Sequence, residues 1–313
     1  MKRVIAILLA VIVLTLSACH SDQKPDTQNE SGVYEQSFQL KSGDYSLNAV
    51  YTYTGSAGPA VLLIAGSGPA DEDETIGALK PFADIAEGLA QNGVSSLRVE
   101  KRTYRYGDSL ESTAGIDEEY LSDCRAAIKW LKEQEGVESI YLLGHSLGGQ
   151  IAAELASEVA DIDGIILWNS TARHLADIAR DQYVVIDSDN TSAYDGYAAD
   201  AKGATYDTAR ENYYYFGVNE FYWASYNELD VIEDIAGANI PTLIINSTYD
   251  NQLFDADIQL WQDSLGNAKN VTIKLYDDQS HFGYKIDTSS AGALFSAQEF
   301  PQELIDDFAG FCR

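Results

Sequence analysis

Two hydrophobic rhythms alternate along most of this chain. Residues 33–40 and 46–54 alternate apolar and polar positions and are rich in β-formers, with Lys41-Ser42-Gly43-Asp44 between them, which predicts an antiparallel hairpin. Past Gly58-Pro59 the pattern becomes a continuous apolar run, 60–65, as a strand covered on both faces requires. Runs or near-runs recur at 94–99, 139–143, 164–168, 241–246 and 271–276. Helical periodicity lies between several of them, over 78–91, 117–134, 147–160 and 256–265. In the first of these, Leu79, Phe82, Ile85, Ala86 and Leu89 share one side, and Gly93 ends it. Strands alternating with helices predict an α/β architecture: a mostly parallel, eight-stranded sheet flanked by helices. No internal repeat interrupts it.

One stretch departs from both rhythms. Residues 170–239 hold no buried-strand pattern and are rich in tyrosine, including Tyr213-Tyr214-Tyr215-Phe216 and Phe221-Tyr222-Trp223. So long a connection without structure of its own is unlikely in a compact domain. It predicts a helical cap inserted into a core formed by 33–169 and 240–313. The aromatics serve to pack the cap on the core, to line an apolar pocket, or both.

The N-terminus has a different logic. Met1-Lys2-Arg3 precedes an apolar stretch from Val4 to Leu16, too short to span a bilayer but suited to a signal peptide. Its end, Leu16-Ser17-Ala18-Cys19, resembles the lipobox of bacterial lipoproteins, in which the cysteine receives a diacylglyceryl group and becomes the mature N-terminus. That resemblance implies an exported chain, held to a membrane through an N-terminal lipid on Cys19, with 1–18 removed. Residues 19–32 are then a polar, flexible tether.

Charge narrows the partners. The chain has 20 basic and 49 acidic residues; two of the basic ones lie in 1–18, which leaves 18 against 49, or −31. Such acidity argues against nucleic acid as a partner. Besides Cys19 there are Cys124 and Cys312. Cys124 lies on a helical stripe with Leu121, Ile128 and Leu131, so a buried free thiol is expected there, a bridge to Cys312 being the alternative.

The chemistry concentrates at Gly144-His145-Ser146-Leu147-Gly148-Gly149, directly after the predicted strand 139–143 and opening the helix 147–160. A Gly-x-Ser-x-Gly pattern between strand and helix pushes a serine hydroxyl out of a strained turn. The glycines let the chain reverse, the helix N-terminus favours negative charge, and the backbone N–H of Leu147 is placed to hold an oxyanion. In this arrangement the acid and the base follow the nucleophile in chain order. Of the four histidines, His20 neighbours the anchor, His145 sits inside the turn and His174 begins the cap; His281 alone follows the last buried strand. Asp250, just past 241–246, is placed as the acid, ahead of Asp255 and Asp257, with Asp277 and Asp278 more remote. A second oxyanion donor is expected from the loop 65–71, from the N–H of Gly66 or Ser67. Its glycine spacing fits neither a dinucleotide nor a Walker loop.

These stretches, with Leu63-Ile64-Ala65-Gly66-Ser67-Gly68-Pro69, Asp71, Asp73, Lys80-Pro81-Phe82, Ala86-Glu87-Gly88-Leu89-Ala90 and Lys101-Arg102, resemble bacterial esterases of the α/β-hydrolase fold, related to the dienelactone-hydrolase and serine-aminopeptidase branches. The group usually has Arg after Asp71, where this chain has Glu72. The resemblance implies a serine carboxylesterase for short or medium acyl esters, with no metal or organic cofactor. The alternative is a serine aminopeptidase, with an acidic group from Asp71-Glu72-Asp73-Glu74 or Glu100 holding the substrate ammonium. A third reading is a lipoprotein that binds a ligand without catalysis.

Overall fold

The computed structural model describes residues 27–28, 32–286 and 299–313. The signal segment, Cys19 and most of the expected tether lie outside them. Thr27–Gln28 (β1), within that tether, pairs antiparallel with Tyr34 and Glu35.

The hairpin is β2 (Tyr34–Ser42) and β3 (Tyr45–Tyr53). Next come β4 (Gly58–Ile64), α1 (Pro81–Gln91), β5 (Ser95–Val99) and the short α2 (Arg102–Tyr106). A π-helical turn, Asp117–Leu121, leads into α3 (Ser122–Lys132), then β6 (Val137–His145), α4 (Leu147–Glu158) and β7 (Gly164–Trp168). The segment before the next sheet strand holds α5 (Leu175–Ile186), α6 (Thr191–Gly203), a ribbon of β8 (Tyr214–Tyr215) and β9 (Val218–Asn219), α7 (Glu220–Tyr226) and α8 (Val231–Ala238). The chain returns through β10 (Thr242–Ser247), α9 (Asp255–Leu265), β11 (Val271–Tyr276) and α10 (Gln302–Phe311).

Eight long strands and the two-residue β1 form one sheet, ordered β1-β2-β3-β5-β4-β6-β7-β10-β11. Pairing is parallel from β5 through β11 and antiparallel on the hairpin side. From β4 the chain turns one way to β5, then crosses back past β4 to β6. The carboxyl ends of β4 and β6 therefore flank a topological switch point, where such sheets open a crevice. Side chains alternate across the sheet. Leu62, Leu142, Leu167 and Ile244 join one core with α3, α4 and α9. Val61, Leu63, Leu143, Ile166 and Ile245 join the other with α1 and α10.

Several boundaries differ from the periodicity. Helix α1 begins at Pro81, not at 78, because proline disfavours helix at the residue before it and suits the first helical position. The expected helix 117–134 begins as a π turn. The ribbon β8–β9 and helix α10 were not set out by the pattern. Cys124 and Cys312 are both buried and free, and they lie in the two separate cores.

Candidate active site

Strand β6 ends at His145 and α4 starts at Leu147, so one residue makes the reversal. That residue, Ser146, has φ 53° and ψ −122°, a backbone conformation costly for a side-chain-bearing residue. Its N–H donates to the Trp168 carbonyl at 2.9 Å, which ties the turn to β7. A Cβ on Gly144 would stand 2.0 Å from the Gly148 carbonyl oxygen, and one on Gly148 would stand 2.2 Å from that of Ile64. Only glycine lets the turn close against β4. The first N–H groups of α4, Leu147 among them, have no acceptor inside the helix.

Asp250 follows β10 by three residues. Its Oδ1 accepts the N–H groups of Gln252 at 2.7 Å and Leu253 at 3.1 Å, which orients the carboxylate. Its Oδ2 accepts His281 Nδ1–H at 2.6 Å, with the two side chains 1% and 4% exposed. The loop carrying His281 is clasped from three strand ends. Asn169 Nδ2 and His145 Nε2 reach the His281 carbonyl at 2.8 and 2.9 Å, and Ser247 Oγ donates to the Gln279 carbonyl at 2.5 Å. The His281 ring stands 4.7 Å, centre to centre, from that of His145, the residue before Ser146.

Of the other acid candidates, Asp257 and Asp278 have partners elsewhere. Asp257 caps α9 through the Phe254 N–H and accepts Thr171 Oγ1 at 2.5 Å. Asp255 opens α9, and Asp278 faces Lys285 at 3.3 Å. His174 caps α5, accepting from the Ala176 N–H and bonding Asn227; burial holds its pKa below the usual value.

The loop after β4 corrects one expectation. The Gly66 N–H points to Glu74 Oε1 at 2.7 Å, so it is spent on a carboxylate and is not an oxyanion donor. Ser67 lines the same cavity as Ser146 and Leu147. The Gly66 carbonyl is held too, by Lys101 Nζ at 3.0 Å and Tyr120 Oη at 2.5 Å. The buried Lys101 pairs with Glu119 at 2.8 Å. Burial lowers its pKa, against the pull of Glu119. Sequence reasoning missed this bracket around Gly66 and the clasp by Asn169, since no local spacing joins their members. A polar residue directly after a buried strand, as Asn169 is, was the available signal.

The cavity at Ser146 measures about 300 Å³. Leu147, Gln150, Thr171, Gln252 and Leu253 come from the core; Leu175, Ile178, Ala179, Tyr183, Phe216, Val218 and Trp223 come from the segment between β7 and β10. Among the described residues that line it, none is charged. The acidic residues suggested for an ammonium are committed elsewhere. Asp73 pairs with Arg98 and Lys80, Glu74 holds Gly66 and His145, Asp71 accepts the Thr75 N–H, and Glu100 holds Asn48 and Arg105. Glu72 lines a separate groove with Phe38 and Asn48.

With this geometry in place, comparison with known proteins adds the following. Residues 77–183 match the family described as serine aminopeptidase, S33. Esterase EstD of Thermotoga maritima is 33% identical over 228 residues, covering 71% of this chain and 54% of that protein. The chain thus spans about half the length of that curated relative. Among solved structures, Est1E from Butyrivibrio proteoclasticus superposes with a TM-score of 0.59 at 16% identity, covering 87% of this chain and 96% of the other. The Pyrococcus furiosus esterase PF2001 gives 0.59 at 17% identity, covering 88% and 89%. The sheet order, the turn at Ser146 and these superpositions together give the chain the α/β-hydrolase fold.

Proposed function

We propose that this chain is a serine hydrolase of carboxylic esters with short or medium, uncharged acyl groups. The observation that carries this reading is the strained Ser146 turn opening into an uncharged cavity, with the Asp250–His281 pair packed against His145, the residue before Ser146. His281 takes the Ser146 proton as the hydroxyl attacks the acyl carbon, then returns it to the leaving alcohol. Asp250 holds the imidazole in the tautomer with Nδ1 protonated and stabilises the cation that forms. The N–H groups of Leu147 and Ser67 receive the oxyanion. Water then releases the acyl-enzyme by the same route. EstD and the Pyrococcus furiosus protein PF2001 are named as esterases, which supports the reaction class.

The matched family's description keeps an aminopeptidase reading in view. The uncharged lining disfavours it, because an ammonium group would enter without a counter-charge. A panel of p-nitrophenyl esters from acetate to palmitate, run beside alanine p-nitroanilide with wild type and Ser146→Ala, tests the reading. Serine-dependent turnover of the short esters is expected. Faster release of the aminoacyl amide would reverse the assignment of substrate.

We further propose that Cys19 is lipidated and tethers the exported chain to the cell envelope, on the strength of the lipobox-like 16–19. Cys19→Ala should move the protein from the membrane fraction to the soluble one; unchanged membrane association would refute the anchor.

A further inference from the structure

A second histidine–carboxylate pair lies beneath the site, outside the mechanism above. His145 Nδ1 is 2.8 Å from Glu74 Oε1, and its Nε2 is 2.9 Å from the His281 carbonyl oxygen. His145 is 1% exposed and Glu74 is buried. A carboxylate and a peptide carbonyl both accept hydrogen bonds and neither donates. A neutral imidazole has one N–H, so it would leave a lone pair facing one of these oxygens. Only the imidazolium satisfies both contacts. Lys101, whose Nζ donates to the Gly66 carbonyl, and the Glu74 carboxylate attract each other.

We propose that Glu74 and His145 form a buried carboxylate–imidazolium pair that positions the oxyanion loop and the catalytic histidine together. The same Glu74 oxygen that receives His145 also receives the Gly66 N–H at 2.7 Å. One rigid link thus runs from the residue before Ser67, through Glu74 and the His145 ring, to the backbone of His281. The parts of the link are in close approach: a Cβ on Gly66 would stand 3.1 Å from Ser146 Cβ and 3.3 Å from Glu74 Oε1. Glu74 itself has φ 51°, a conformation that persists where its surroundings over-determine it.

Charge is consistent with this role. His145 faces Glu74 from the loop after β4 and His281 from the loop after β11, with Asp250 beyond; Trp168 and Phe282 cover the ring. Glu74 feels Lys101, which faces Glu119, Tyr120 and Cys124. Burial opposes the charge on His145, but Glu74 and the His281 carbonyl outweigh it and hold the pKa above the usual histidine value. The pair is neutral as a unit, so it does not penalise the positive charge that His281 acquires during turnover. Both residues are positioning residues, since neither touches substrate.

The proposal rests on the esterase reading for its kinetic consequence, but not for its chemical one. The chain has four histidines, so ¹⁵N-histidine NMR of the full chain can resolve their ring nitrogens, with His145→Gln assigning the signal. Two protonated ring nitrogens on His145 at pH 7–8 are expected in the wild type, and one in Glu74→Gln. On p-nitrophenyl acetate, Glu74→Gln should lower kcat between roughly 10- and 100-fold, a part of the roughly 100- to 1000-fold that removing one oxyanion donor costs, since the donor is displaced and not removed, with KM within about twofold. A neutral His145 in the wild type, or a folded Glu74→Gln with unchanged kcat, would overturn the proposal. A doubly protonated His145 in a protein whose ester turnover does not need Ser146 would instead remove the esterase reading and leave the charged pair standing.

Discussion

Two histidine–carboxylate pairs stand side by side in this molecule, with ring centres 4.7 Å apart. His281 meets Asp250 at 2.6 Å and His145 meets Glu74 at 2.8 Å. The pairs look alike, yet their second nitrogens differ. That of His145 is bound to a backbone carbonyl, so both nitrogens are occupied and its proton count is fixed by its neighbours. In the proposed mechanism that of His281 must exchange a proton with Ser146, so it can have no permanent partner. In that mechanism one pair cycles and the other holds. The difference arises from the acceptor at the far side of the ring, not from the carboxylate.

The comparison can be broken by substitution. Asp250→Asn keeps the shape of the first pair but favours the wrong tautomer of His281, and kcat should fall by a factor on the order of 10⁴; steady-state ester hydrolysis measures it. Glu74→Gln, the equivalent change in the second pair, should cost the much smaller factor given above. Equal losses from the two would mean that the pairs do not divide the work as described.

A stability profile sharpens it further. Held above its ordinary value, the native pKa of His145 implies a contribution that is complete below about pH 6.5 and is lost as pH rises through that native value. Urea midpoints should therefore fall on the alkaline side in the wild type, and Glu74→Gln should flatten that limb. An unaltered alkaline limb in Glu74→Gln would contradict it.

The smallest expected effect belongs to a carboxyl group whose partner is another acid. Glu154 on α4 lies against Asp234 on α8; burial, then the charge and hydrogen bond of Asp234, raise its pKa to about 7. The native state then binds the proton more tightly than the unfolded chain. Stability should decline as pH rises from about 4.5 towards 7, with the loss persisting above. Glu154→Gln should raise the urea midpoint above pH 7 and leave it nearly unchanged below pH 4.5. A uniform shift at all pH values would refute that assignment.

The first pair was legible in the sequence and the second was not, for a physical reason. Ser146 is marked by glycines that its turn requires, and β6, β7 and β10 by runs that only two-sided burial explains. Asp250 and His281 follow from chain order along such a sheet. Glu74 and His145 are 71 residues apart and meet only because β4 and β6 are neighbours. Nothing in the sequence near Glu74 separates it from Asp71, Glu72 and Asp73 beside it. The Gly66 N–H shows the same limit: the glycine places the loop correctly, but its hydrogen bond depends on where Glu74 lands. The ribbon β8–β9 is short and rests on packing among aromatics, such as Trp223 donating to the Tyr215 carbonyl at 3.2 Å, which leaves no periodic trace.

The central claim is that Ser146 is the nucleophile. The most direct measurement is peptide mass spectrometry after inactivation with a fluorophosphonate. The account predicts one adduct, on the peptide containing Ser146, appearing in step with loss of ester hydrolysis and absent from Ser146→Ala. A folded, ester-hydrolysing protein that carries no adduct, or carries it on another residue, would contradict it.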